Sequence, residues 1–157
     1  MYWMIGAALA VVAVAALAAV WARRRLVMVT VHGSSMEPTL LPGDRVLVRR
    51  RGLARVRRGD IVVLEPPLPD GVAVGVRAGL DDRRWNIKRA VALPGDPVPP
   101  AVAAAGDHRV VPPGALVVFG DGPTSTDSRQ RGFFRATDLL GVVVRRVSAA
   151  PSPTGGK

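Results

Sequence analysis

The hydrophobic positions of this chain follow two different patterns. From Met1 to Ala22 there is no charged side chain, and most residues are Ala, Val, Leu or Ile. Beyond Arg25 the apolar residues occur in short runs, several of them alternating with polar residues and separated by Gly/Pro turns. The first pattern predicts one long apolar helix, and the second predicts β-strands.

The apolar segment is predicted to be a transmembrane helix that forms, with its basic end, an anchor over residues 1–25. Between Trp3 and Trp21 a helix would rise about 28 Å at ~1.5 Å per residue, close to a hydrocarbon core of ~30 Å. The two tryptophans stand where an aromatic belt would place them, and Arg23–Arg25 end the span. A cleaved signal peptide is the alternative, although basic residues before the apolar run and a small-residue cleavage site are both missing.

Six apolar runs after the helix predict the strands of a small antiparallel sheet, so the fold class is all-β with one N-terminal transmembrane helix. The runs are residues 26–31, 44–50, 60–65, 85–93, 115–120 and 139–147. Residues 66–84 and 97–107 are predicted to be loops or insertions. The domain is predicted to cover 26–147, and 148–157 to be a disordered tail.

Composition narrows the function further. The 157 residues include no cysteine, which excludes disulfides and thiolate metal sites. A net charge of +10 suits an acidic partner, either nucleic acid or an anionic membrane surface. Aromatic residues make up only 4 %, which argues against single-strand binding by base stacking.

One lysine stands out among the basic residues. Of the 22 lysines and arginines, only Lys88 and Lys157 are lysines, and Lys157 is the last residue. Arginine cannot deprotonate near neutral pH, whereas burial can lower the pKa of a lysine by several units. Lys88 lies in the apolar run WNIKRAVAL, so it is either a general base in a buried strand or a lysine that extends to solvent from a strand edge.

Two adjacent serines, Ser34 and Ser35, lie in an irregular stretch between the first two predicted strands. Serines in a Gly-Ser-Ser sequence are often turn residues. A serine nucleophile with a lysine base is the other interpretation, because a nucleophile has to protrude from the sheet and remain accessible.

Four motifs together resemble the successive sequence boxes of bacterial type I signal peptidases, and the resemblance covers roughly residues 3–147. They are GSSMEPTLLPGD (33–44), RRGDIVVL (57–64), NIKRAVALPGD (86–96) and GDGPTSTDSRQRGFF (120–134). The resemblance implies a serine endopeptidase with a Ser/Lys dyad, anchored in the plasma membrane with its catalytic domain outside the cytoplasm. Its substrates would be preproteins with small residues before the cleavage site.

The resemblance also implies roles for individual residues. Ser35 would be the nucleophile and Lys88 the general base, with Ser125 orienting the lysine amine. Asp127 and Arg129 would be a paired carboxylate and guanidinium that hold the loop of Ser125. The remaining three site residues would help line a shallow apolar substrate pocket: Met36, Leu40 and Ile87.

The same resemblance implies no cofactor, no metal, no nucleic acid partner and a monomer in the lipid bilayer. His32 and His108 are expected to be surface residues. The chain departs from the family pattern at Gly33, where some members have a serine that completes the oxyanion hole. It also departs before Ser125, where GPT is one residue shorter than usual and lacks an asparagine.

Topology and specificity stay open at this point. By the positive-inside rule, Arg23–Arg25 would place the domain in the cytoplasm, opposite to the family arrangement.

A specialised maturation protease of the same clan, cutting one precursor, is an alternative. A self-cleaving repressor would need a DNA-binding domain in place of the apolar helix. An inactive anchored module with a basic binding surface is compatible with the charge, but it gives no reason for Lys88.

Overall fold

The protein is represented by a computed structural model, which describes residues 2–65, 85–102 and 106–148. The predicted insertion at 66–84, part of the second loop at 103–105 and the predicted tail from 149 onward lie outside the described residues.

A long helix, α1, begins at Tyr2 and ends at Arg25. Its described apolar side chains are exposed, for example Val11 at 69 % and Leu17 at 70 %. Among the residues that the structure describes, no helix is both long enough and apolar enough to cross a membrane. The membrane span predicted for residues 1–25 therefore stays a prediction.

In the part of the chain that the structure describes after the helix, seven antiparallel strands are present, consistent with the all-β prediction. The six predicted strands are all present, with ends within one residue of those expected. The strands are β1 Leu26–Thr30, β2 Arg45–Arg50, β3 Ile61–Leu64, β4 Asn86–Ala92, β5 Ala115–Phe119, β6 Phe134–Arg135 and β7 Leu139–Ser148.

The strands form one sheet in the order β1-β2-β7-β3-β4-β5-β6. The last strand lies between β2 and β3, so the C-terminal part of the chain joins the two halves of the sheet. Strands β3 and β5 are buried along nearly their whole length, whereas β1 alternates buried and exposed residues. This is the difference expected between central strands and an edge strand with one solvated face.

Three turns between strands share one construction. In the segments 41–44, 57–60 and 93–96, a glycine with positive φ is followed by an aspartate. Each aspartate carboxylate accepts the backbone N–H of the residue three positions earlier, at 2.8–2.9 Å. The Gly-Asp pairs that carried part of the family resemblance are therefore turn closures, because glycine adopts positive φ without strain and the carboxylate satisfies a free donor.

The short elements were not predicted from the sequence. Helix α2 covers Ser128–Arg131, and two 3₁₀ turns cover Leu53–Arg55 and Ala136–Asp138. Strand β6 has only two residues. Elements of this length contain too few residues to show a hydrophobic period.

Candidate active site

Ser35 lies in the irregular segment between β1 and β2. Ser34 is exposed and Ser35 half-buried, while the next residue, Met36, is 1 % exposed. The segment is closed by two backbone hydrogen bonds, from Glu37 N to the Ser34 carbonyl at 3.1 Å and from Leu40 N to the Met36 carbonyl at 2.9 Å. Met36 and Leu40 anchor the segment in the core, and the serines lie toward its accessible side.

Lys88 lies in β4, between β3 and β5, and its side chain is buried at 4 % exposure. Its Nζ donates a hydrogen bond to Ser125 Oγ at 2.8 Å. Burial lowers the pKa of Lys88 below its ordinary value of 10.5, because the charged form loses hydration. The negative charge of Asp127 opposes this shift, and the positive charges of Arg129 and Arg131 add to it.

The loop that follows β5 presents Ser125 to the lysine, and Asp127 holds that loop in place. Asp127 is fully buried and accepts the backbone N–H of Gly120 at 2.7 Å. The Arg129 guanidinium binds both of its carboxylate oxygens, at 2.9 and 2.7 Å. Burial alone would raise the pKa of Asp127, but hydrogen bonds from Arg129, Gly120 and Ser125 outweigh it and lower the pKa to about 2.

Asp127 is also the N-cap of α2. Its side chain accepts the Arg129 N–H while the Gln130 side chain accepts the Asp127 N–H at 3.0 Å, a capping box. The sequence contained this signal, since Asp127 is followed three residues later by Gln130. The predicted pair of Asp127 and Arg129 is therefore present as a contact, and it fixes both the loop and the short helix.

Two glycines bring this loop against the serine segment. The Gly122 N–H donates to the Ser35 carbonyl at 2.9 Å. A Cβ on Gly120 would overlap both the Ser125 hydroxyl oxygen and the Ser35 carbonyl oxygen, and one on Gly122 would overlap the Ser34 carbonyl oxygen. The backbone of Ser35 and the hydroxyl that binds Lys88 are therefore close neighbours, and only residues without a side chain permit this approach.

A second polar cluster joins the same segments, and the sequence reasoning missed it. Arg89 Nε and Nη2 donate to the two oxygens of Asp121 at 2.9 and 2.6 Å. Arg89 Nη1 donates to the Gly59 carbonyl at 2.9 Å, and Thr39 Oγ1 donates to Asp121 Oδ2 at 2.6 Å. These residues come from all four family-like motifs. The only sequence signal was that each of them lies inside one of these motifs.

The other predicted positions are placed as follows. Met36, Leu40 and Ile87 all belong to one buried hydrophobic cluster, with exposures of 1 %, 3 % and 5 %. Their role in a substrate pocket stays a prediction. His32 and His108 are exposed, as expected.

Gly33 has a positive φ of 78°, and a Cβ there would meet no atom within 4 Å. A serine at this position would have room but would be strained in the left-handed region. A serine here, as the resemblance implies for some similar proteins, is thus disfavoured by the backbone conformation rather than by lack of space.

Chemically, the site combines a buried amine of lowered pKa, a hydroxyl that fixes one of its hydrogen bonds, and a half-buried serine whose backbone carbonyl lies close to that hydroxyl. Ser125 accepts from Lys88 and donates to Asp127, so its hydroxyl has a defined orientation. An amine held in this way can accept a proton from a neighbouring hydroxyl, which is the requirement of a serine nucleophile with a lysine base.

Comparison with models of protein families gives a match. The family model described as "Signal peptidase, peptidase S26" matches residues 3–101. The matched region includes Ser35 and Lys88 and ends before the loop of Ser125 and Asp127. No curated protein matches the sequence.

Proposed function

Because the chain belongs to the signal peptidase family, peptidase S26, we propose that it is a membrane-anchored serine endopeptidase that removes signal peptides from secreted preproteins. Ser35 is the nucleophile and Lys88 is the general base. The observation that carries the proposal is the buried hydrogen bond from Lys88 to Ser125. Ser125 lies in the loop whose Gly122 N–H donates to the Ser35 carbonyl.

Lys88 is suited to act as a base because its burial disfavours the charged form. Neutral Lys88 takes the proton of the Ser35 hydroxyl as the oxygen attacks the carbonyl carbon at the signal-peptide junction. The C–N bond then breaks, the protonated lysine returns its proton to the leaving amine, and an ester forms on Ser35. Water activated by Lys88 hydrolyses this ester and regenerates the serine.

The arrangement of Ser125 supports this assignment. Its hydroxyl donates toward Asp127 and therefore offers a lone pair to Lys88. One N–H of the neutral amine is fixed by this bond, which restricts where the nitrogen lone pair can point. A restricted lone pair makes proton transfer from a single neighbouring hydroxyl more efficient.

The membrane anchor is supported by α1. Its described valine and leucine side chains, between Val11 and Val20, and Trp21 are exposed, so this part of the helix presents an apolar surface. Such a surface is unfavourable in water and favourable in lipid. We place the catalytic domain on the outer side of the plasma membrane, where the junction of a translocated preprotein emerges, and Arg23–Arg25 at the outer headgroups.

Cleavage of a purified preprotein by the full-length chain in detergent tests the proposal. The preprotein carries alanine at the positions one and three before the junction. Ser35→Ala and Lys88→Arg should both lose at least 10³-fold in turnover, since arginine keeps the charge but cannot deprotonate. Ser34→Ala is the matched control and should retain native turnover.

Near-native turnover by Lys88→Arg would end the dyad assignment, and near-native turnover by Ser35→Ala would end the proposal as a whole. The double variant should be no slower than either single variant, because both residues serve one proton-transfer step. The native rate should rise with pH through an acidic limb below the ordinary pKa of lysine, which is 10.5.

A further inference from the structure

Arg89 follows the lysine base directly in β4, and its side chain is the centre of a cluster that takes no part in the chemistry above. Its guanidinium binds Asp121 through two parallel hydrogen bonds and the Gly59 carbonyl through a third. The pair is only partly exposed, with 33 % of Arg89 and 18 % of Asp121 accessible. A bidentate pair of this kind fixes direction as well as distance.

Thr39 connects this cluster to the nucleophile segment. It lies four residues after Ser35, and its hydroxyl donates to Asp121 Oδ2 at 2.6 Å and accepts from Arg89 Nη2 at 3.4 Å. The segment is thus joined to the loop 120–125 at two points. One is the Thr39–Asp121 bond, and the other is the Gly122 N–H to the Ser35 carbonyl.

The same loop holds the base, because Ser125 binds Lys88. Strand β4 therefore contacts the loop twice through consecutive residues, by Lys88 at Ser125 and by Arg89 at Asp121. With the loop fixed at both places, the two contacts to the serine segment set where Ser35 lies relative to the lysine.

We propose that Arg89, acting through Asp121 and Thr39, is a positioning residue that holds the Ser35 segment in reach of Lys88. The inference rests on the proposed function of Ser35 and Lys88. The hydrogen bonds of its guanidinium go to Asp121, Gly59 and Thr39, so it acts through these residues. Its role depends on the planar fork of the guanidinium, so charge alone does not replace it.

The test measures steady-state cleavage of the same preprotein by the full-length chain. Arg89→Lys keeps the positive charge and loses the fork, and Thr39→Val keeps the shape and loses the hydroxyl. Both should lower kcat by about 10–100-fold with KM changed by less than about threefold, because a displacement of ~1 Å can cost 10²-fold in rate. The acidic limb of the pH profile should stay in place, because Asp127 and Arg129 still surround the lysine.

Thr39→Ser keeps the hydroxyl that Thr39→Val removes, and it should retain most of the native kcat. The double variant Arg89→Lys/Thr39→Val should have about the same kcat as the slower single variant, because both substitutions break the same connection between the Ser35 segment and β4. Arg58→Lys is the matched control. Arg58 also pairs with an aspartate, Asp96, at 3.0 Å, but its side chain is 65 % exposed, and its replacement should leave kcat unchanged.

Native kcat in Arg89→Lys and Thr39→Val would overturn the positioning role. The role would also be overturned if Thr39→Ser lost as much kcat as Thr39→Val. The same holds if the loss of kcat in the variants only followed a fall in their melting temperature. If the wild-type protein cleaves the preprotein no faster than Ser35→Ala, the proposed function itself is overturned, and this role with it. The two failures can be told apart, because this one appears in the wild-type protein and the failure of the positioning role appears only in the variants.

Discussion

Asp127→Asn separates the structural and electrostatic effects of one buried carboxylate. Asp127 accepts hydrogen bonds from Gly120, Ser125 and Arg129, and its pKa is lowered from 3.8 to about 2. It also raises the pKa of Lys88 through its negative charge, against the effect of burial. The substitution removes the charge and keeps the size of the side chain.

The magnitude follows from the pKa difference between the unfolded and the folded chain. At ~1.36 kcal/mol per unit, a carboxyl lowered to about 2 contributes roughly 2 kcal/mol to the free energy of unfolding. Because the folded pKa is the lower one, this contribution is complete above the unfolded value and is lost as the pH falls through the folded value. Asp127→Asn should therefore lose roughly 2 kcal/mol at pH 7, or roughly 6–10 °C in Tm.

The assay is denaturant unfolding of the full-length chain in detergent, followed by tryptophan fluorescence between pH 2 and 8. The buried Trp85 is one reporter of the folded core. The native protein should lose stability between about pH 4 and 2, and this component should be missing from Asp127→Asn. Asp138→Asn is the control, since the hydrogen bonds described for its carboxylate are exposed and long, at 3.4 and 3.5 Å from Arg135 and 3.2 Å from Thr137.

Activity gives a second, independent result for the same variant. Removing the charge of Asp127 leaves Arg129 and Arg131 unopposed near Lys88, so the pKa of the lysine should fall further. The acidic limb of the pH profile should therefore move to lower pH, whatever happens to kcat. An unchanged unfolding free energy at pH 7, or a limb that moves to higher pH, would refute this reasoning.

Two further predictions concern packing around the site. Lys88→Met should abolish cleavage but raise stability, most strongly at acidic pH. The pKa of Lys88 is lowered in the folded protein, so burying its charge costs stability below that pKa, and this cost disappears as the pH rises toward 10.5. A lower urea midpoint for Lys88→Met than for the native protein at pH 6 would contradict this. Gly122→Ala should lose about 1–3 kcal/mol and slow cleavage, because its Cβ would overlap the Ser34 carbonyl oxygen. Gly52→Ala is the control for thermal melting, since Gly52 has a φ of −76° and an added Cβ there would meet no atom within 4 Å. Equal effects of the two substitutions would count against a close contact between Gly122 and Ser34.

The sequence predicted the strands well because each is short, apolar and bounded by a Gly/Pro turn. Lys88 could be identified because arginine fills almost every other basic position in the chain. Its burial and its contact with Ser125 agree with the environment expected of a lysine base.

The sheet order and the cluster around Arg89 could not be predicted in the same way. Strand β7 pairs with β2 and β3, and nothing in its hydrophobic pattern names those partners. The Thr39–Asp121 hydrogen bond joins residues 82 positions apart, and both residue types are common in turns. Such contacts depend on tertiary packing, which local periodicity does not encode.

The consecutive placement of Lys88 and Arg89 makes the proposed enzyme sensitive to errors in folding. Lys88 pairs with Val62, and Arg89 pairs with Phe119, so β4 is aligned by a neighbour on each side. A slip of one residue would exchange the faces of the strand and put a permanent cation in the place of the base. Such a chain could still be compact, yet it would not cut. The specific activity of a refolded sample would then report the fraction of molecules with β4 in the correct register.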